Sequence, residues 1–315
     1  MENTHDTAGK QRLDGSTQAQ GDGHRGVARV VNALTIDVEE YFCYAYPGET
    51  LSCEEWARLE SRAVPHTLET LRILENHNIR ATFFVLGWVA DREPHLLREI
   101  RDRGHEVSSH GYSHALVGTQ TPSQFRDDVR RSIDVIAGVI GEMPAGYRAP
   151  SFSINGSCLW ALDILAELGF AYDASLYPTR MRGNGDPQAR HEPHRLDSGM
   201  WEFPAATVDV AGLRIPFGGG GYLRLYPFLA TRWATHRINS TGRPAMIYLH
   251  PWELDPHPPA GPRSRLRRFQ HTVNLAKTRS RLLHLCAEFA FAPIGDVLTQ
   301  IEADMGARPE AVAAK

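Results

Sequence analysis

The sequence of 315 residues has no apolar run approaching the ~18–20 residues of a membrane-spanning helix. It has no Cys-x-x-Cys pair and no surplus of basic charge. Its four cysteines (Cys43, Cys53, Cys158 and Cys286) lack zinc-like spacing, so they read as buried thiols in a reducing compartment. Cys43 and Cys53 would pair only in an exported chain. A formal net charge of −3 gives no reason to expect nucleic acid as a partner. The glycine run at 218–221 lacks the strand-to-helix setting and the Lys-Ser/Thr of a phosphate loop, and reads as a flexible or closely approaching loop. Residues 1–28 are polar and Gly-rich, without the apolar segment of a secretory signal. They are expected to form a disordered leader, and a cytoplasmic location is the corresponding expectation.

What is present is a globular composition, 42% hydrophobic and 23% charged, in a repeating order of strand and helix. Strand patterns occur at "VVNALTIDV", "RATFFVLG", "HEVSSHG", "AGYRAPSF", "FAYDASLYP" and "PAMIYLHPW". Between them lie helical periodicities over 65–77, 93–104, 121–140 and 157–168, several with Pro at the start and Gly at the stop. Residues 200–222 alternate like a β-hairpin. A Pro- and Arg-rich crossing loop begins near 256 and precedes a helical stretch at 275–290. Repeated βα units predict a mostly parallel sheet, open or closed into a barrel.

Polar residues interrupt this pattern at the C-terminal ends of strands, the face on which parallel α/β folds build their sites. His110 and His114 are four apart, so on a helical turn both imidazoles would point one way and could clamp a metal. In "LTIDVEEYF", Asp37 and Glu39 share one face of a strand while Glu40 points away. One of the first two can bind the metal and the other can act as base beside a bound water. Glu40 then reads as a solvated or structural acid. His250, ending the apolar strand "AMIYL", is a candidate general acid that needs help from Asp173 or Asp255. Arg148 in "YRAPSF" is placed to pair with Asp37.

The ordered set "LTID", "SHGYSH", "YRAPSF", "YDASLYP" and "YLHPW" resembles the five motifs of the polysaccharide deacetylase family, carbohydrate esterases with a nodulation-protein-B-like domain. "DVEEYF", "RAPSFSI", "GGGYLRLYP" and "LHPWELDP" resemble its subgroup tied to exosortase and exopolysaccharide loci. The resemblance implies a distorted (β/α) barrel of seven or eight strands over 29–295, with a β-hairpin insertion and a C-terminal helical extension. Residues 200–295 would include the region characteristic of the subgroup, and 296–315 would be a tail. It implies one divalent metal, zinc or else cobalt or nickel, and removal of N-acetyl groups from N-acetylglucosamine-type glycans. Asp37 would be the base, His110 and His114 metal ligands, Arg148 the residue orienting the base, and His250 the acid tuned by Asp173. The backbone N–H of Ser151 would help hold the oxyanion.

Val38 stands where the family has its metal-binding aspartate, so the strand-face argument gives the third ligand to Glu39. Ser151 replaces a usual tyrosine. Trp252 and Tyr177 are candidate sugar-stacking residues. A lipid-linked precursor met at the inner membrane face, beside polysaccharide-synthesis machinery, is one expected setting; the Arg-rich "RSRLRR" of 263–268 reads as a solvated loop that could also meet anionic lipid. Two other readings remain open: an amidohydrolase acting on a cyclic amide or ureide, and an inactive glycan-binding homologue.

Overall fold

β1 (Val31–Val38) is buried at seven of its eight positions, alternate residues facing both ways into apolar surroundings, as a central parallel strand requires. The computed structural model describes residues 30–44, 49–181, 183–259, 261 and 264–306. The expected leader, 1–28, lies outside the described residues. Of the expected tail, 307–315 also lies outside them, whereas 296–306 belongs to the helix Ile294–Gly306. Ile294, Val297 and Leu298 bury that helix against the sheet, an apolar i, i+3, i+4 spacing that makes it part of the fold.

The other strands follow in chain order: β2 (Thr82–Val85), β3 (Glu106–Ser109), β4 (Gly146–Tyr147), β5 (Tyr172–Asp173), β6 (His194–Arg195), β7 (Trp201–Glu202), β8 (Thr207–Val210), β9 (Leu213–Pro216), β10 (Met246–Leu249) and β11 (Ala290–Ala292). The main sheet has nine strands in the order β10-β1-β2-β3-β4-β5-β7-β6, with β11 also on β1. This exceeds the expected seven or eight because β11 joins the edge that β10 occupies: β11 pairs Val31 to Ala33 and β10 pairs Ala33 to Ile36. Every pairing is parallel except β6 on β7. The sheet curls into a distorted (β/α) barrel. β8 and β9 form the expected hairpin, turning through Ala211 and Gly212 at φ 49° and 80° as a twisted two-residue loop demands.

The four-glycine run is a point of close approach. Tyr248 N donates to Gly218 O at 2.9 Å, and a Cβ on Gly219 would stand 1.9 Å from Tyr248 O. No side chain fits there, so the chain after β9 runs against β10. Outside the sheet, the helix Pro122–Ile140 keeps the boundaries that its sequence signals: Thr121 and Gln124 cap each other's backbone N–H groups, and Gly141 ends the helix at φ 83°. Parallel strands bring the ends of β1, β3, β4 and β10 to one rim, which positions the site.

Candidate active site

The three acids after β1 part ways. Asp37 is within the strand, Glu39 follows a tight turn in which its N–H donates to Asp37 O, and Glu40 points to the other side. Glu40 is structural: its carboxylate accepts from Arg62 N at 2.8 Å and Ala63 N at 3.2 Å, closing the N-terminus of the helix Ala63–Asn76.

Asp37 meets Arg148. The guanidinium donates through Nη1 to Asp37 Oδ1 at 2.5 Å and to Thr35 Oγ1 at 2.9 Å, and through Nε to Ala174 O. Arg148 is fully buried, with its charged carbon 4.1 Å from the centre of the Phe84 ring and 5.0 Å from that of Phe152. One carboxylate oxygen of Asp37 is thus fixed and the other, Oδ2, is 3.9 Å from His250 Nε2.

Glu39 lies with the two histidines. Its Oε2 is 2.6 Å from His114 Nε2 and 3.5 Å from His110 Nε2, and the ligand atoms of the three residues fall within 4.8 Å of one another. That Oε2 is buried, and among the described residues no group bonds it with hydrogen-bond geometry. Three lone-pair donors converging on one point, at an angle that suits no hydrogen bond, fit a small divalent ion. His110 Nδ1 lies 2.8 Å from Arg148 O, an arrangement in which Nδ1–H donates to the carbonyl and Nε2 offers its lone pair to the cluster. Burial alone would raise the Glu39 pKa, but His114 and His250 hold it well below the ordinary carboxylate value.

His110 and His114 do not share a helical turn. Residues 110–114 form a loop that folds through Gly111 at φ 71° and His114 at φ 55°. Asp128 captures the N–H groups of Tyr112 and Ser113, bending the backbone out of the helical path. A non-glycine residue held left-handed at such a place carries strain retained for the site. Ser151, in the same conformation at φ 55°, also lines the cleft, followed by Phe152 at φ 53°.

His250 faces Asp37 from β10. Its partner is neither of the expected acids but Glu253: Oε2 is 3.0 Å from His250 Nδ1 and 2.9 Å from its backbone N. Asp173 accepts instead from Ser175 N and Oγ and from Glu202, and Asp255 lies by Arg62 and His66. The 3₁₀ turn Pro251–Leu254 brings residue i+3 back over the histidine, which neither of the other acids can do. Burial disfavours charge on His250, but Glu39, Glu253 and Asp37 together lift its pKa to about 9. Glu253 is drawn down to about 2, against its burial, by Arg224 and His250. Arg224 donates to Glu253 at 2.6 Å and to the carbonyls of His271 and Val273. Arg224, Glu253 and His271 escaped sequence reasoning; only Glu253 had a signal, its i+3 spacing from His250.

The cleft over these groups has a volume of about 230 Å³. Trp252 forms part of its wall but is 5% exposed, stacked on His271 at 4.3 Å and His250 at 5.6 Å, so its ring packs between two histidines. Tyr177 is not a cleft residue: it is fully buried against Phe152 at 5.2 Å, where its ring fills the barrel. Cys43, Cys53, Cys158 and Cys286 are all free thiols.

Below the site, Glu202 is wholly buried beside Asp173. Burial, then the Asp173 charge, push its pKa well above the ordinary value. A raised carboxyl contributes stability below its unfolded pKa and loses that contribution as pH rises through the folded value. Glu202→Gln keeps the acceptor for Leu176 N and gives Asp173 a permanent donor. Thermal unfolding is therefore expected to show the variant matching wild type near pH 5 and exceeding it near pH 8. Equal Tm values at both pH values would mean that the pair carries no shared proton.

Residues 61–172 match the polysaccharide deacetylase family model, and 174–299 match a domain of unknown function, DUF3473. Over 106 residues the chain is 32% identical to the peptidoglycan deacetylase of Helicobacter pylori, covering 34% of this chain and 35% of that protein. The chain thus spans about a third of that relative's length. Among solved structures, a Mycobacterium smegmatis protein assigned to the polysaccharide deacetylases superposes with a TM-score of 0.57 at 22% identity, covering 90% of this chain and 94% of that one. PuuE allantoinase superposes with the same TM-score, 0.57, at 16% identity, covering 92% and 98%. Asp37 and Glu39 precede both matched segments, His110, His114 and Arg148 fall in the first, and His250 and Glu253 in the second. About a third of the chain, residues 61–172, thus matches the polysaccharide deacetylase family, and the DUF3473 segment completes the same cleft.

Proposed function

We propose that the protein is a metal-dependent hydrolase that removes N-acetyl groups from N-acetylglucosamine-type sugars, in a polysaccharide of the exopolysaccharide kind or its lipid-linked precursor. The observation that carries this reading is that Asp37 and His250 meet beside the cluster Glu39, His110 and His114, with His250 Nε2 3.9 Å from Asp37 Oδ2 and 3.5 Å from Glu39 Oε1. A divalent ion held by those three side chains would supply Lewis acidity toward an acyl oxygen and acidify water beside Asp37. Asp37, fixed through Oδ1 by Arg148, takes the proton of the attacking water at Oδ2. His250, protonated and steered by Glu253, gives its Nε2 proton to the departing sugar amine. Ser151, held left-handed where it lines the cleft, would offer its backbone N–H to a developing oxyanion.

Metal analysis of purified, zinc-supplemented protein is the first test. Wild type is expected to hold about one transition metal per chain, and His110→Ala/His114→Ala and Glu39→Ala to hold far less. Wild type without metal would remove the reading, and retention by Glu39→Ala would remove the third ligand. Because the fold is shared with an allantoinase, fold alone does not choose the substrate. Acetate release from chito-oligosaccharides, against hydrolysis of allantoin, makes that choice. Glycan binding by the metal-loaded protein without turnover on either would indicate an inactive homologue.

A further inference from the structure

The surface beside the cleft has a composition of its own. Residues 210–287 hold twelve Lys and Arg but only two Asp and Glu, in a chain of net charge −3. Those two acids, Glu253 and Asp255, are buried, as are two of the cations, Arg224 and Arg281. Glu288, Glu49 and Glu69, from outside the segment, pair with Arg232, Arg267 and Arg279. Arg265 and Arg268 stand exposed on the helix Arg265–Thr272.

The same helix reverses the usual amphipathic arrangement. Its sole buried residue is His271, while Leu266 and Phe269, three apart on one face, are 66% and 55% exposed. A surface helix of a soluble domain normally turns such residues inward. On the neighbouring helix Phe228–Asn239, Leu229 and Trp233, four apart, are 68% and 51% exposed, and Leu225 just before it is 50% exposed. Arg224, in the short helix Gly220–Leu225, donates to the carbonyls of Gln270 and His271 and so ties the segment that carries Leu225 to the helix Arg265–Thr272. Five large apolar side chains exposed among arginines on three neighbouring helical segments are surface that water does not favour.

We propose that this face docks on an anionic lipid surface, with the apolar residues entering the headgroup layer and the arginines meeting lipid phosphates. Arginines flanking exposed Leu, Phe or Trp side chains on a short helix are the chemistry of interfacial binding. An acidic polymer would use the arginines but leave the apolar side chains without a partner, and so fits the face less well. The consequence concerns access: His271 and Gln270, on the docked helix, also line the cleft, which places the cleft mouth at the membrane plane. The inference stands on the surface itself and does not depend on which amide the site hydrolyses.

Co-sedimentation of the full chain with vesicles of phosphatidylcholine alone, and of phosphatidylcholine with about 30% phosphatidylglycerol, tests it. Binding is expected only to the anionic vesicles. Leu266→Ala/Phe269→Ala should weaken it at least about tenfold, and Arg265→Gln/Arg268→Gln by about twenty-five-fold, roughly fivefold for each charge. All four side chains are exposed, so unchanged Tm and circular dichroism are expected in both variants. In wild type, lipids brominated near the headgroup should quench tryptophan fluorescence, and Trp233→Phe should abolish that quenching. Absence of wild-type binding overturns the proposal. So does binding that the Leu266/Phe269 variant retains in full and dextran sulfate competes away, which would mark a surface for acidic polymer.

Discussion

Replacing His250 with alanine is expected to lower kcat for sugar deacetylation by about two to four decades, the usual contribution of a positioned general acid. The fold should survive, because Glu253 keeps its 2.6 Å ion pair with Arg224 after the imidazole is gone and no buried charge is orphaned. Metal content should also persist, since His250 lies outside the Glu39, His110 and His114 set. The diagnostic measurement is dependence on the leaving group. An activated aryl acetate departs without needing a proton, so His250→Ala should lose little on it while losing nearly all activity on the sugar amide. Equal losses on both substrates would mean that His250 positions the cleft and donates no proton.

Arg148→Met is expected to be the most destabilising single change at the site. The guanidinium is fully buried, bridges Asp37, Thr35 and Ala174, and is enclosed by aromatic rings. Methionine fills similar space but leaves Asp37, itself 1% exposed, as a buried carboxylate without its partner. Breaking such a pair from one side costs about 3–5 kcal/mol. At roughly 2–4 °C per kcal/mol, the expected fall in Tm is about 6–20 °C. Removing both charges, in Arg148→Met/Asp37→Leu, should restore much of the stability without activity. A double variant no more stable than the single one would show that Arg148 acts through packing and its other hydrogen bonds, and not through its charge pair.

The sequence carried these parts unevenly. Periodicity and end signals placed the helices closely, as with Thr121, Pro122 and Gly141, because those choices are local and made within one turn of chain. Strand alternation was expected to separate Asp37 and Glu39 from Glu40, but β1 ends at Val38 and it is the tight turn at Glu39, not alternation, that sets Glu39 and Glu40 apart. The His110/His114 loop was misread as a helical turn because its path is set by Asp128, distant in sequence and silent in any local pattern. The same reason hid Arg224, whose role appears only when the segment after β9 packs against the helices near 270. Asp173 was a plausible partner for His250 by motif order, but a 3₁₀ turn gave the place to Glu253.

The strand β5, Tyr172–Asp173, pairs with β4 on one side and β7 on the other, and the border between the two family matches falls inside it. Recombination at that border would therefore not exchange modules. Either half taken alone would expose an unpaired strand edge, the template for aggregation. One half would also keep His110 and His114 without His250, and the other His250 without that pair. A change in one segment would therefore be felt in the other, through this two-residue strand and through Arg148, which donates to Ala174 O across the border.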